Sequence, residues 1–187
     1  GPVDRKRRKE WVVDVEARVE WMEMYRTLPV GGVQRAFPDT ASCQRRLAEV
    51  RWPSGVTCPS CGDRNIGFVE PRSLYQCRSC RTQFSVTAGT IMHRSRLDLR
   101  MWFIAASEVI GAHAYGLEGS HLTGQALAKR YGISYVATYR LKTALVKDLR
   151  QPGNLLRACI CTEELPVIRD PRQTPDEWYA TLLSVRP

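Results

Sequence analysis

The sequence has no long apolar run. Its most hydrophobic stretch, residues 101–110, has about half the length of a membrane-spanning helix and contains Glu108. The basic run at residues 5–9 is followed by a charged, amphipathic stretch, where a secretory signal would have an apolar region. We therefore expect a protein that stays in the cytoplasm and does not enter a membrane.

Histidine is scarce and acidic residues are in the minority. The three histidines, His93, His113 and His121, are scattered, and none has a partner that points to catalysis. The 28 Lys and Arg residues exceed the 19 Asp and Glu residues, giving a formal net charge of +9. A basic surface favours polyanions, because each neutralised phosphate releases counterions. It also favours solubility, so the charge alone leaves nucleic-acid binding open.

Four of the seven cysteines form a metal-binding pattern. Two cysteines with two residues between them are followed, after fifteen residues, by a second such pair: Cys58, Cys61, Cys77 and Cys80. Each tight turn aims two sulfurs at one ion, so the pattern predicts one structural zinc with a closed four-thiolate shell. Two disulfides or a redox dithiol are the alternatives, and two such pairs at this spacing favour zinc.

The residues around the pattern are less specific. Cys43 is expected in the core, whereas Cys159 and Cys161 have a poor chelating spacing and are interpreted as packing residues or unpaired thiols. Arg78 lies within the second pair and Arg81 directly follows it, and these two residues either contact phosphate or form a solvated face. Both interpretations stay open.

Apolar periodicity and turn residues predict a mainly helical chain with a small β region. The expected helices cover residues 10–27, 41–50, 97–112, 124–131 and 135–149, and a short one opens at Thr174. Residues 54–90 contain short β-type runs at 66–69 and 83–86, and residues 111–124 are expected to be a loop. These segments group into domains at 3–34 (basic arm and amphipathic helix), 35–95 (helix plus zinc ribbon), 96–150 (trihelical helix-turn-helix domain) and 151–187 (tail).

Residues 122–141 have the pattern of a helix-turn-helix. Gly132 permits the positive φ that the turn requires, and Ser134 can cap the second helix. In this motif the second helix enters the DNA major groove. The residues expected to contact DNA are Ser134, Tyr135, Val136, Tyr139, Arg140, Lys142 and Thr143. An ordinary helical hairpin is the alternative.

The helix at residues 10–27 has an apolar face with two interpretations. Trp11, Val15, Val19 and Met22 recur at helical spacing. The face either forms a homodimer or docks on the core of the same chain.

Residues 35–150 resemble the N-terminal region of bacterial insertion-sequence transposases that begin with a zinc ribbon. The resemblance rests on residues 37–39, 51–62 and 75–93, including the cysteine pairs, and on a following helix and helix-turn-helix. It implies DNA binding by both parts, with Arg78 and Arg81 on the ribbon. In that family an RNase H-like domain with three acidic metal ligands follows, whereas here residues 161–166 read Cys-Thr-Glu-Glu-Leu-Pro and 23 residues remain after Glu164.

The sequence therefore predicts a nucleoid-associated, zinc-dependent protein that binds double-stranded DNA sequence-specifically and has no catalytic residues. A transposase-derived transcriptional regulator is the leading interpretation. One alternative is the DNA-binding portion of an active insertion-sequence transposase. The other is a zinc-ribbon interaction module that contacts RNA polymerase or another part of the transcription machinery.

Overall fold

The computed structural model describes residues 15–117 and 124–185. Residues 15–26 are helical and are called α1. The further helices are α2 (Val33–Ala36), α3 (Thr40–Arg51), α4 (Leu99–Ala114), α5 (Gly124–Tyr131), α6 (Tyr135–Leu149), α7 (Leu155–Ile160) and α8 (Pro175–Ser184). The strands are β1 (Ile66–Val69), β2 (Leu74–Cys77) and β3 (Gln83–Phe84), with one 3-10 turn, Glu70–Arg72, between β1 and β2. A mostly helical chain with one small sheet confirms the predicted fold class.

The chain divides into two compact units. Residues Phe37–Phe103 form the first, here called the ribbon unit, and the boundary falls within α4. The residues up to Ala36 and from Ile104 onward form the second, here called the helical unit. The finer division into four domains stays a prediction.

The ribbon unit combines α3 with an antiparallel sheet of order β1-β2-β3. α3 begins at a capping box, in which the Asp39 carboxylate accepts a hydrogen bond from the Ser42 amide at 2.7 Å. The sheet register pairs Phe68 with Tyr75, and Tyr75 with Phe84. Tyr75 stacks on Phe84 with ring centroids 5.5 Å apart, and Trp52 at the end of α3 packs edge-on against both rings. These aromatic rings fasten the sheet to α3.

The helical unit has a core of long apolar side chains from six helices. Val19 and Met22 on α1 are buried within the chain, which supports docking of α1 on the protein's own core over the homodimer. Trp11 lies outside the described residues. The other fully buried large side chains of this unit are Met24, Ile110, Leu145, Leu149, Leu156, Ile160, Trp178 and Leu182.

The tail after α6 is part of this core. Trp178 on α8 is 1% exposed, and its indole N–H donates to the Glu23 carboxylate on α1 at 2.7 Å. A second hydrogen bond joins the same two helices: the Arg26 guanidinium of α1 donates to the Leu182 carbonyl of α8 at 2.7 Å. α8 begins at the predicted Thr174, which forms a capping box with Glu177. The short helix expected to open at Thr174 is therefore confirmed, and the contacts of the tail with α1 go beyond the prediction.

Three local expectations differ from the structure. The loop expected from residue 111 begins later, because α4 continues to Ala114; Gly111 lies inside the helix, where a side chain would meet the Tyr25 ring at 3.5 Å. The short α2 and α7 have no counterpart in the prediction. His121 and the start of the helix-turn-helix segment, residues 122–123, lie outside the described residues. Within the described parts of the chain, no helix is long and apolar enough to cross a membrane.

Glu108 ties α4 to α5. Its carboxylate accepts a hydrogen bond from Arg130 at 2.7 Å and a second from the hydroxyl of Tyr131. Burial and the hydrogen bond with Glu108 raise the pKa of Tyr131, so this phenol stays protonated as a donor. The contact holds α5 in place ahead of α6.

We expect Glu108→Ala to lower the free energy of unfolding by about 1–3 kcal/mol, because the part-buried Tyr131 hydroxyl loses its acceptor. Glu108→Gln keeps an acceptor at this position, so it should lower the free energy of unfolding by less. Urea denaturation of the two variants measures the difference, with the exposed Glu164→Ala as control. A Glu108→Ala protein as stable as the control would contradict this role.

Candidate metal centre and nucleic-acid interface

The four predicted cysteines come together at one point of the ribbon unit. Their sulfur atoms all lie within 4.8 Å of one another. Cys58 Sγ is 3.6 Å from Cys80 Sγ, and Cys61 Sγ is 3.6 Å from Cys77 Sγ. Four sulfurs at about 2.3 Å from a zinc ion form a tetrahedron with edges of about 3.8 Å, which matches these distances. A disulfide needs about 2.0 Å, so the disulfide alternative is wrong in this structure.

Both cysteine pairs are held by the same kind of turn. The Gly62 amide donates to the Cys58 carbonyl at 2.9 Å, and the Arg81 amide donates to the Cys77 carbonyl at 2.9 Å. The residue after each pair has a positive φ, 75° at Gly62 and 66° at Arg81. The Ser79 hydroxyl donates to the Asp63 carboxylate and so links the two turns.

Hydrogen bonds set the protonation of the exposed ligands in the absence of a metal ion. Side-chain and backbone hydrogen bonds with Thr82 lower the pKa of Cys80 to about 6. A hydrogen bond with the Asp63 backbone lowers the pKa of Cys61, but hydrogen bonds with Cys77 and the other thiols outweigh it and raise the value to about 12. Because metal binding requires thiolates, zinc displaces the protons that these thiols share. The residues fit one structural Zn²⁺, as predicted.

The remaining cysteines take packing positions. Cys43 on α3 and Cys159 on α7 are fully buried among apolar residues, and Cys161 is part-buried, with its thiol 3.7 Å from the Met24 carbonyl. Burial raises the pKa of the Cys43 thiol to about 11, so it stays neutral. The core role expected for Cys43 is confirmed.

The predicted DNA-contacting residues of α6 lie on one exposed face. Tyr135, Val136 and Tyr139 are 58%, 57% and 61% exposed, which is unusual for large apolar side chains. Arg140 and Thr143 are exposed beside them, whereas Lys142 is half-buried. The opposite face of α6 is buried through Thr138, Leu141, Leu145 and Leu149.

The turn before α6 has the predicted geometry. Gly132 has φ 65°, and the Ser134 hydroxyl caps α6 by accepting from the Ala137 amide at 3.1 Å. α5 and α6 also meet at Gly124, where an added Cβ would stand 2.5 Å from the Tyr135 ring. The absence of a side chain at Gly124 therefore leaves room for the Tyr135 ring.

A basic groove runs beside the exposed face of α6. Its volume is about 680 Å³, and its wall includes three cationic side chains from α6 and its C-terminal end. The lining residues are His113, Tyr139, Lys142, Thr143, Val146, Lys147 and Arg150. The sequence prediction did not include Arg150; its place seven residues after Thr143 on the same helix face is the signal for it.

The ribbon unit also matches a known family. Residues 38–83 match the transposase zinc-ribbon domain of IS1595 type. The ribbon is of the transposase type. An uncharacterized protein in the transposable element ISH50 of Halobacterium salinarum is 28% identical over 136 residues, which are 71% of this chain and 44% of that protein. The chain thus spans less than half the length of this relative. No solved structure matches the chain.

The match and the geometry together confirm the predicted zinc-ribbon resemblance. Arg78 and Arg81 lie in the ribbon unit. The other predicted DNA contacts, from Ser134 to Thr143, lie in the helical unit. A DNA-contacting role for any of these residues stays a prediction.

We expect Cys58→Ser and Cys77→Ser each to lose the zinc ion and the order of the three-stranded sheet, because three thiolates cannot close the shell. Zinc per chain in native mass spectrometry and the circular dichroism spectrum measure the two effects. Cys161→Ser, outside the cluster, should keep one zinc. A Cys58→Ser protein that still holds one zinc per chain would contradict the site.

Proposed function

We propose that the protein is a zinc-dependent, sequence-specific DNA-binding protein in which α6 is the recognition helix. The observation that carries the proposal is the exposed face of α6. Tyr135, Val136 and Tyr139 expose their side chains at the start of the second helix of a tight pair, where helix-turn-helix proteins present residues to base edges. An ordinary helical hairpin would bury large apolar side chains on this face.

The neighbouring groove supports contact with the DNA backbone. Lys142, Lys147 and Arg150 line it and give it positive charge that attracts phosphate, although Arg150 also pairs with the Glu20 carboxylate at 3.4 Å. Arg140 is exposed beside the groove, and its planar guanidinium matches the two acceptors of guanine in the major groove. We therefore assign base contacts to Tyr135, Val136, Tyr139 and Arg140, and backbone contacts to the groove.

Acidic residues of the C-terminal tail have structural partners. The Asp170 carboxylate accepts from Arg172 at 3.0 Å, and Glu177 caps α8. Within the described residues, the group of side chains suited to hold a metal is the four-cysteine cluster. These contacts support the proposal that the described chain acts by binding, as a transposase-derived transcriptional regulator associated with the nucleoid.

The second candidate is the DNA-binding portion of a transposase. It is favoured by the relative from a transposable element, of which this chain covers 44%. Both candidate functions need the same protein–DNA contacts. They differ in the genomic DNA sequences to which the protein would bind.

We expect Arg140→Ala to relax base preference at one position of the DNA site, because it removes a bidentate contact with about 1–3 kcal/mol of discrimination. Lys147→Ala should instead weaken binding to all DNA sequences by a similar factor and reduce the salt dependence of binding. Binding to a set of single-base variants of a selected duplex measures both, with exposed Arg169→Ala as control. Equal effects of Arg140→Ala and Lys147→Ala across the set would contradict base reading by Arg140.

Selection of bound fragments from genomic DNA distinguishes the two candidates. We expect enriched fragments to lie at promoters if the protein is a regulator, and at inverted terminal repeats if it belongs to a transposase. Weak, salt-sensitive binding without sequence preference would overturn the proposal and leave the zinc ribbon as a protein-interaction module of the transcription machinery.

A further inference from the structure

The sheet of the ribbon unit has two unlike faces. Residues opposite each other in an antiparallel ladder share a face, so Phe68, Tyr75 and Phe84 lie together on the aromatic face. Side chains alternate along a strand, so the residues between them point the other way. The resulting surface, here called the outer sheet face, consists of Gly67, Val69, Leu74, Gln76 and Gln83.

Two glutamines stand side by side on the outer sheet face. Gln76 and Gln83 are direct cross-strand partners, which puts their Cβ atoms about 5 Å apart. Gln83 is exposed and Gln76 is half-buried. Neither side-chain amide forms a hydrogen bond among the described residues, so both amides can bind a ligand.

Gly67 opens a concavity at this face. The Arg78 guanidinium lies across the strand at Gly67, 3.4 Å from where a Cβ would stand, and donates to the Asn65 side chain at 3.3 Å. The concavity has a volume of about 380 Å³ and is lined by Gly67, Phe68, Val69, Gln76, Arg78 and Arg81. Because Gly67 has no side chain, the Arg78 guanidinium can lie close to the strand backbone here, within the lining of the concavity.

Arg81 occupies a backbone position that favours glycine. Its φ of 66° corresponds to that of Gly62 in the first cysteine turn, so the turn of the second cysteine pair sets this conformation. The Arg81 side chain is exposed at the rim of the concavity, where it can contact a ligand.

The charge of the ribbon unit fits a polyanion. Residues 37–103 contain ten arginines, no lysine and five acidic residues. Neither Arg78 nor Arg81 belongs to an ion pair among the described residues. Two unpaired guanidinium groups therefore flank the two glutamine amides.

We propose that the outer sheet face reads base pairs in the major groove of double-stranded DNA, separately from α6. Arg78 pairs with guanine and Gln76 and Gln83 pair with adenine, because these planar side chains match the two-point patterns of those bases. Arg81 contacts a phosphate at the rim. A short β-ribbon fits the major groove with one face towards the bases. This inference rests on the proposed function and adds a second block of recognised sequence.

The test selects sites for the full zinc-loaded chain from a library of randomised duplexes. We expect two blocks of preferred bases. Gln76→Ala and Gln83→Ala should each remove an adenine preference within one block, and weaken binding to the preferred site by roughly 5- to 150-fold. Arg78→Lys, which keeps the charge and loses the bidentate pairing, should remove a guanine preference in the same block.

Arg140→Ala and Gln44→Ala are the matched controls. Arg140→Ala should alter the other block, and Gln44→Ala on α3 should alter neither. Zinc content verifies that the ribbon unit of each variant is folded, and the circular dichroism spectrum verifies its helical unit. If Gln76→Ala and Arg78→Lys leave every base preference intact while Arg140→Ala changes one, the outer sheet face does not read bases and the proposed function stands. If the unmodified protein prefers no sequence, both proposals are overturned.

Discussion

The closed four-sulfur cluster is the contact on which the ribbon unit depends. Its strands are four, four and two residues long, too short for a sheet that is stable alone. A zinc ion that joins Cys58 and Cys61 to Cys77 and Cys80 closes the connection around β1 and β2 and so fixes their register. That register places the aromatic rings on the α3 side and the two glutamines on the other side. The metal thereby determines both the packing of the unit and the surface that we propose for DNA.

The helical unit depends on contacts that are distant in sequence. α6 can expose one face only because its opposite face is buried, and the core that covers it includes residues of α7 and α8. Trp178 reaches back to Glu23, 155 residues away, and the Glu163 amide donates to the Thr27 carbonyl. The tail is therefore part of the support for the exposed face of α6, and its burial should matter for DNA binding as much as for stability.

Local signals were predictable, and long-range ones were not. The cysteine spacing, Gly132 with its positive φ and the Ser134 cap act within a few residues, so the zinc site, α5 and α6 could be located from the sequence. The burial of α8 depends on α1, which no local pattern reveals. Gly111 shows the same limit, since it resembles a loop residue and lies in a helix because the Tyr25 ring packs there. The outer sheet face needed the strand register, because Gln76 and Gln83 are seven residues apart and meet only through pairing of β2 with β3.

The two reading surfaces that we propose, one in each unit, would add their specificities. Each offers three or four base contacts that discriminate by about 1–3 kcal/mol each, so one surface covers the lower part of the 4–10 kcal/mol that typically separates specific from non-specific binding, and both together cover its upper part. One continuous chain joins the units, so once one surface has bound, the second binds at a high effective concentration. A recognition sequence of two blocks follows from this arrangement. In this proposal the zinc has a role beyond folding, because its loss would disrupt the outer sheet face and with it one block of recognition.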